Sequence, residues 1–183
     1  MKKAQYQFRG SIPQDTIEVV EFELAPPDKG EVLVEVLAAP INPSDILTLT
    51  GDYGSLPPLP AVGGMEGIGM VIQLGEAVDN LALRQRVLLS GTGGTWTTPL
   101  LARASQLVCM PDGVDVQQQA MMTINPPTAL LLLSEFIKLE PGDWVIQNAA
   151  NSAVGGYLIQ IARKRGIKTV NIVRRESAAH VLH

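Results

Sequence analysis

The stretch from Asp143 to Arg175 most constrains what this chain can fold into. Its apolar pattern predicts a buried strand at residues 144–147, a tight loop at 148–152, a helix at 153–165 and a second strand at 169–173. A strand, a crossover helix and a second strand form a βαβ unit. Units of this size bind dinucleotides, because the loop after the first strand brings the helix N-terminus against a pyrophosphate.

The loop of this βαβ unit is poor in glycine for a dinucleotide site. Only Gly155 and Gly156 occur there, and Ser152 and Ala153 stand where the common fingerprint has glycine. The loop by itself is therefore a weak signal of a cofactor site.

The end of the second predicted strand is more informative about the cofactor. An NAD site usually offers Asp or Glu there to the 2′-hydroxyl of the adenine ribose. This chain offers Arg174 and Arg175, whose guanidinium groups suit a 2′-phosphate. The pattern favours NADP over NAD, with the alternative that the two arginines are only a solvated strand end.

Charge is unevenly distributed along the 183 residues, which carry a formal net charge of −4. Residues 1–137 contain 7 basic and 15 acidic side chains, whereas residues 138–183 contain 7 basic and 3 acidic ones. The basic end coincides with the βαβ unit and favours an anionic ligand there. No basic stripe interleaved with aromatic residues runs through the chain, so nucleic acid is not an expected partner.

Cysteine content and the N-terminus indicate the compartment. Cys109 is the only cysteine, which excludes intrachain disulfides and a zinc site built from cysteines. No apolar run of signal-peptide or membrane-span length occurs. We therefore expect a cytoplasmic protein with no membrane partner, although a chain cut from a longer precursor would look the same.

The first part of the chain is β-rich. Short strands are predicted at residues 4–9, 17–24, 32–38, 67–74 and 86–90, with one or two more within 97–110. A single helix is expected among them, capped by Asn42, with Pro43 at its first position and Gly51 as its stop. Many short strands at this spacing suggest a small, partly open barrel.

Helices replace strands after Asp115. One is predicted at residues 115–122, and a nearly all-apolar one at 128–137 that would have to be buried. This change of pattern predicts two domains, residues 1–123 and 124–183.

Five segments, taken in order, resemble one family. They are INPSD at residues 41–45, GDYGSLPPLPAVGGMEGIG at 51–69, GTW at 94–96, INPPTA at 124–129 and QNAANSAVG at 147–155. Together they resemble the zinc-free 2-enoyl thioester reductases of the medium-chain dehydrogenase/reductase superfamily, over nearly the whole chain. The resemblance implies a β-rich GroES-like partly open barrel followed by the first part of an α/β Rossmann-type domain, with the active site in the cleft between them. It also implies an NADPH-dependent reductase of trans-2-enoyl thioesters.

The resemblance also implies catalysis without zinc. Zinc-using relatives carry a cysteine near the start of the helix after the third strand and a Gly-His-Glu segment before the Gly-rich strand. The corresponding positions hold Asn42 and Met65, which supply neither a thiolate nor an imidazole.

The family's proton donor, a tyrosine in a G-x-Y-G segment, corresponds to Tyr53. A tyrosine hydroxyl ordinarily remains protonated at neutral pH and can donate to a developing enolate. A tyrosine that merely packs in a Pro-rich loop is the alternative.

Further site residues follow from the same resemblance. Asn125 and the run Asn151, Ser152, Ala153 and Val154 would contact the nicotinamide side and the pyrophosphate of NADPH, although glycine is common at the position of Ala153.

Arg174, Arg175 and Glu176 would meet the 2′-phosphate end of the cofactor. Asn42 and Trp96 would line the substrate cleft, but a helix-capping Asn and a Trp that fills an interface are equally open interpretations.

Three functions stay open at this point. The first is reduction of an acyl thioester of CoA or acyl carrier protein by a full-length form that is a homodimer. The second is a quinone or alkenal reductase of the same superfamily, and the third is a truncated, non-catalytic module. We expect the 183 residues alone to lack activity, because they would contain only the beginning of the cofactor domain.

Overall fold

The computed structural model describes residues 1–181, so that Leu182 and His183, the last two residues of the predicted second domain, lie outside the described residues. The chain divides into two compact units, Met1–Met121 and Met122–His183. The strands are β1 Lys2–Tyr6, β2 Ile17–Glu21, β3 Glu31–Ala38, β4 Ala61–Val62, β5 Glu66–Leu74, β6 Arg86–Ser90, β7 Thr97–Thr98, β8 Leu100–Arg103, β9 Val108–Met110, β10 Trp144–Gln147 and β11 Lys168–Asn171. The α-helices are α1 Pro13–Thr16, α2 Pro43–Thr50, α3 Val116–Ala120, α4 Asn125–Leu132 and α5 Ala153–Lys164, and 3₁₀ turns lie at Ala104–Gln106 and Glu176–Val181.

Two antiparallel sheets make up the first unit. The larger has the strand order β8-β3-β5-β6-β9, and the smaller has the order β2-β1-β4 with β7 also paired to β1. Within the described part of the chain, the edge strands β8 and β9 do not pair with each other, so the barrel is open. Alternating apolar residues of β3, β5 and β6 fill its core, among them the fully buried Val32, Val34, Val71 and Leu89.

Helix α2 forms where the sequence predicts it. Asn42 is the N-cap residue and Pro43 occupies the first helical position, where a missing N–H costs nothing. The helix ends at Gly51, whose φ of 91° lies in the left-handed region that glycine adopts without a Cβ clash. The loop that follows starts from this fixed point.

The second unit contains a two-stranded parallel sheet of β10 and β11, with α5 as the crossover. Helices α4 and α5 pack through a small apolar core whose buried members are Ala129, Leu133, Leu158, Ala162 and Ile167. The predicted βαβ unit is therefore present, with element boundaries that shift by one or two residues.

Two burial predictions in this unit are wrong. Helix α4 is not buried all round, because Leu130, Leu131 and Leu132 are each about half exposed and only Ala129 among its residues is buried. Strand β10 is not buried on both faces either, since Trp144 is 64% exposed. The reason is that α5 covers one face of the two-stranded sheet, while no other element of the second unit, as described to residue 181, covers the opposite face.

None of the helices across the described part of the chain has the length and apolar character needed to cross a membrane.

Candidate active site

Buried polar side chains gather where α2 begins. The Asn42 side-chain amide donates to Oε1 of Glu66 at 2.9 Å, and the Asn42 backbone N–H donates to Oδ2 of Asp45 at 2.7 Å. All three residues are at least nine-tenths buried. Burial raises the pKa of the Asp45 carboxyl and the negative charge of Glu66 raises it further, while backbone N–H groups of Asn42 and Met65 act in the opposite direction.

A cavity of about 320 Å³ lies beside this polar cluster, within the first unit. Tyr6, Asp45 and Thr48 line it together with residues 55–57 and the glycine-rich segment 91–94. Its wall is mostly apolar with a few polar groups, which is the usual character of a small-molecule site. This cavity is the strongest candidate for a substrate site among the residues of the first unit.

Tyr53 lies in the loop after α2, of which residues 55–57 line the cavity. Its backbone N–H donates to the Leu47 carbonyl at 3.2 Å, so the last turn of α2 fixes its backbone. The side chain is 38% exposed and is not among those lining the cavity. Its assignment as proton donor stays a prediction.

Trp96 and Asn42, the two predicted substrate-contacting residues, both make internal contacts. The indole N–H of Trp96 donates to the Pro40 carbonyl at 3.2 Å, and its ring packs against the core cluster that contains Tyr6 and Leu49. Asn42 bonds to Glu66 as described above. Both contacts favour a structural role for Trp96 and Asn42. Contact of either residue with the substrate stays a prediction.

The loop between β10 and α5 has the geometry of an anion site. The Ser152 hydroxyl accepts a hydrogen bond from the Gly155 N–H at 3.1 Å and so caps the helix. The backbone N–H groups of Ala153 and Val154 are the other two donors of the first turn that a phosphate could use. A Cβ on Gly155 would lie 2.4 Å from the Ala150 carbonyl oxygen, so only glycine permits this close packing of loop and helix.

The end of β11 lies at the same edge of the sheet as this loop. The Ala150 N–H donates to the Ile172 carbonyl at 3.2 Å, and the Ile172 N–H donates to the Gln147 carbonyl at 2.9 Å. Arg174 and Arg175 follow after Val173 and are exposed. The parallel pairing thus brings the helix N-terminus and the arginine pair to one edge, which fits a dinucleotide that carries an extra phosphate.

Two further predicted cofactor residues lie in the second unit. Glu176 is exposed and begins the final 3₁₀ turn, one residue after Arg175, and Asn125 is half-buried at the first position of α4. Asn151 is exposed in the β10–α5 loop, directly before Ser152. The roles predicted for these residues are untested by the structure.

Sequence reasoning missed the inner wall of the cavity. It did not single out Tyr6 or Asp45 as site residues, because their positions read as an ordinary strand residue and a first-turn helix acid. The sequence does contain one signal of the buried polar cluster: Glu66 is a charged residue followed by six apolar or glycine residues of the same strand, and it is fully buried in the structure. A buried carboxylate needs partners, and the fold supplies Asn42 as one of them.

No group of three or more His, Cys, Asp and Glu side chains within residues 1–181 could hold a metal ion. The expectation of a zinc-free protein stays a prediction. We expect metal analysis of the purified complete gene product to find zinc well below one equivalent, and a stoichiometric, tightly bound zinc would contradict it.

Comparison with known proteins defines the class. Residues 28–112 match the family described as the alcohol dehydrogenase GroES-like domain. The structure of an Escherichia coli quinone oxidoreductase complexed with NADPH superimposes with a TM-score of 0.88 at 25% identity, covering the whole of this chain and 55% of that one. The class is therefore that of the GroES-like medium-chain dehydrogenases/reductases, and the predicted fold class is confirmed.

Within this class the resemblance to the 2-enoyl thioester reductases is confirmed. The chain is 45% identical over 163 residues to the mitochondrial enoyl-[acyl-carrier-protein] reductase of Rattus norvegicus, covering 88% of this chain and 44% of that protein. A mitochondrial 2-enoyl thioester reductase heterodimer from Candida tropicalis superimposes with a TM-score of 0.87 at 33% identity, covering 98% and 56%. The chain spans about half the length of the relatives that it matches.

The expected cytoplasmic location is contradicted by these comparisons. The curated relatives from Rattus norvegicus, Homo sapiens and Arabidopsis thaliana are all named as mitochondrial proteins. The expectation rested on the single cysteine and on the absence of a recognisable signal sequence, and neither feature identifies a compartment.

Proposed function

We propose that the complete gene product reduces the 2,3 double bond of trans-2-enoyl thioesters with NADPH. The observation that carries the proposal is the 45% identity to the rat enoyl-[acyl-carrier-protein] reductase across 88% of this chain. The structure of an Etr1p complex with NADP and crotonyl-CoA supports it, since it superimposes on this chain with a TM-score of 0.90 at 31% identity. A mitochondrial location is part of the same proposal.

The cofactor would be held by the second unit. The Ala153 and Val154 N–H groups at the start of α5 would bind its pyrophosphate, and Arg174 and Arg175 would bind its 2′-phosphate. NADPH, when bound, supplies the hydride that goes to Cβ of the substrate. Asn125, Asn151, Ser152 and Glu176 complete the proposed cofactor contacts.

The first unit would supply the proton. Hydride delivery to Cβ moves negative charge onto the thioester oxygen, and Cα then takes up a proton. The Tyr53 hydroxyl is our candidate for the donor, because it is exposed on a loop whose neighbouring residues line the 320 Å³ cavity. The mostly apolar wall of that cavity suits an acyl chain.

The handle of the acyl thioester is either CoA or acyl carrier protein. The names of the relatives point to the carrier protein, and the Etr1p complex contains crotonyl-CoA. A dimeric full-length form is consistent with the heterodimer named in the Candida tropicalis structure. We propose that its two subunits are identical, and measurement of the molecular mass in solution tests this.

A second candidate function is quinone reduction. The likeness to the E. coli quinone oxidoreductase favours it, since the same fold carries that activity. The higher identity to the enoyl reductases places it second.

Steady-state turnover of the complete gene product separates the candidates. Oxidation of NADPH is followed at 340 nm with crotonyl-CoA, with a carrier-protein-linked enoyl chain and with a quinone. We expect kcat/KM for an enoyl thioester to exceed that for the quinone by at least tenfold. A preference for the quinone would replace the first function by the second, and no turnover with any of them would leave a non-catalytic module.

A further inference from the structure

The loop that carries Tyr53 is exposed from Asp52 to Pro60 and belongs to no sheet. Its first residues are fixed by the Leu47 carbonyl, which accepts from the N–H groups of Gly51, Asp52 and Tyr53. Its end is fixed only where the chain enters β4. Segments with so few contacts open locally at a small free-energy cost. The middle of the loop, between its two fixed ends, therefore needs a further contact to stay ordered.

Arg9 provides a contact in the middle of this loop. One of its terminal nitrogens, Nη2, donates a hydrogen bond to the Pro57 carbonyl, across 48 positions of sequence. The aliphatic part of Arg9 lies over the other end of the loop, because its Cδ atom is 3.4 Å from where a Cβ of residue 51 would stand. One side chain thus touches both the start and the middle of the Tyr53 loop.

Arg9 lies close to the core residue Tyr6. Burial raises the pKa of the Tyr6 hydroxyl, and the nearby positive charge of Arg9 opposes that rise. Tyr6 is 1% exposed, pairs with Ala61 across β1 and β4, and packs against Leu49 of α2. Arg9 thus lies between a rigid core residue and the loop, and its hydrogen bond to the Pro57 carbonyl restrains the loop.

We infer that Arg9 is the positioning residue of the Tyr53 loop, holding it through Pro57 so that Tyr53 keeps a fixed place beside the cavity. The expected effect of Arg9 on kcat rests on the proposed function. Its expected effect on the order of the loop does not. Arg9 does not touch the reacting atoms in this scheme and acts only through the loop. The long side chain of arginine suits the task, because its aliphatic part reaches residue 51 while its guanidinium donates to the Pro57 carbonyl.

The test uses the complete gene product with three substitutions, Arg9→Ala, Arg9→Lys and the control Arg103→Ala. Arg103 is an exposed arginine of β8 in the same unit, so its removal changes net charge equally without touching the loop. Arg9→Lys keeps the charge and can still donate to the Pro57 carbonyl, and it guards against a variant that fails to fold. Hydrogen exchange of the amides of residues 51–56 and 59 is measured alongside kcat and KM with crotonyl-CoA and NADPH.

We expect exchange of the loop amides to accelerate about tenfold in Arg9→Ala, which is the scale of losing one hydrogen bond from a charged donor. Exchange in β3 and β5 should not change, Arg9→Lys should restore part of the protection, and Arg103→Ala should behave as the parent. Loop exchange that is unchanged in Arg9→Ala, or equally changed in Arg103→Ala, would overturn the inference whether or not the protein is a reductase.

The kinetic measurement tests whether the position of the loop affects kcat through Tyr53. In the parent background, Arg9→Ala should lower kcat about tenfold and alter KM for NADPH by less than about twofold. In the Tyr53→Phe background it should lower kcat no further, since residues that act through one group are not additive. Equal losses in both backgrounds would show that Arg9 does not act through Tyr53. A parent protein without turnover would reject the proposed function, and the exchange measurement alone would then decide the role of Arg9.

Discussion

The proposed chemistry depends on single side chains at two positions of the chain. The first is Tyr53, the proposed proton donor. Replacing Tyr53 with Phe removes the hydroxyl and keeps the ring, so only the proton donor is lost. We expect kcat for an enoyl thioester to fall about 10²-fold or more, the usual scale of general acid catalysis, with NADPH affinity nearly unchanged. Steady-state kinetics and a direct cofactor titration check both statements. Tyr157 in α5 provides a matched Tyr→Phe control, and an unaltered kcat in Tyr53→Phe would place the donor elsewhere.

The second place is the arginine pair after β11. Replacing Arg174 and Arg175 with Ala should weaken NADPH binding at least tenfold and leave NADH binding within about twofold, because only NADPH carries the 2′-phosphate that the guanidinium groups would hold. Fluorescence titration with both cofactors measures the difference. As a control, Arg163→Ala removes an exposed charge from α5 in the same unit. If binding of NADPH and of NADH weakened equally, Arg174 and Arg175 would have a structural role.

Among the helices and strands, α5 is the element whose N-terminus contributes to the proposed cofactor site. Ser152→Ala removes the hydroxyl that accepts from the Gly155 N–H, and we expect the variant to lose about 1 kcal/mol of unfolding free energy. Cofactor binding should fall only modestly, because the Ala153 and Val154 donors stay in place. Chemical denaturation of the complete gene product measures the loss, with the exposed Ser177→Ala in the last 3₁₀ turn as control. No difference between the two variants would show that the cap contributes nothing.

Element types followed from the sequence wherever one local rule decided them. Asn42-Pro43 with Gly51 predicted α2, and the apolar run followed by Ser152 predicted the strand, loop and helix of the βαβ unit. Strand ends were less accurate. The first strand stops at Tyr6 and not at Arg9, because the chain turns there to enter α1 at Pro13.

Burial and the cavity could not be predicted in the same way, since they depend on which elements meet. Trp144 and Val145 are similarly apolar, yet only Val145 faces α5 and packs on its core. The polar cluster at Asn42 and Glu66 joins residues 24 positions apart, a distance that no local pattern reports. The role of Arg9 is invisible in sequence for the same reason, because its partner Pro57 is 48 positions away.

At the scale of the whole molecule, the second unit exposes several large apolar side chains. Phe136 is 77% exposed, and Ile146 on the uncovered face of the two-stranded sheet is 68% exposed. Exposed apolar side chains in such a group favour association with further protein surface. The chain spans about half the length of the relatives that it matches.

We therefore expect a polypeptide of residues 1–183 alone to show no measurable NADPH-dependent reduction of crotonyl-CoA. A dinucleotide fold uses a parallel sheet of about six strands with helices on both faces, whereas β10 and β11 with α5 form one crossover of it. The measurement is turnover on a monodisperse sample of confirmed mass, with the complete gene product as positive control and hydrogen exchange in β3 and β5 to show whether the first unit is folded. A kcat/KM within tenfold of the control would show that these residues already hold a working site, and would refute our view that the cofactor contacts need further strands.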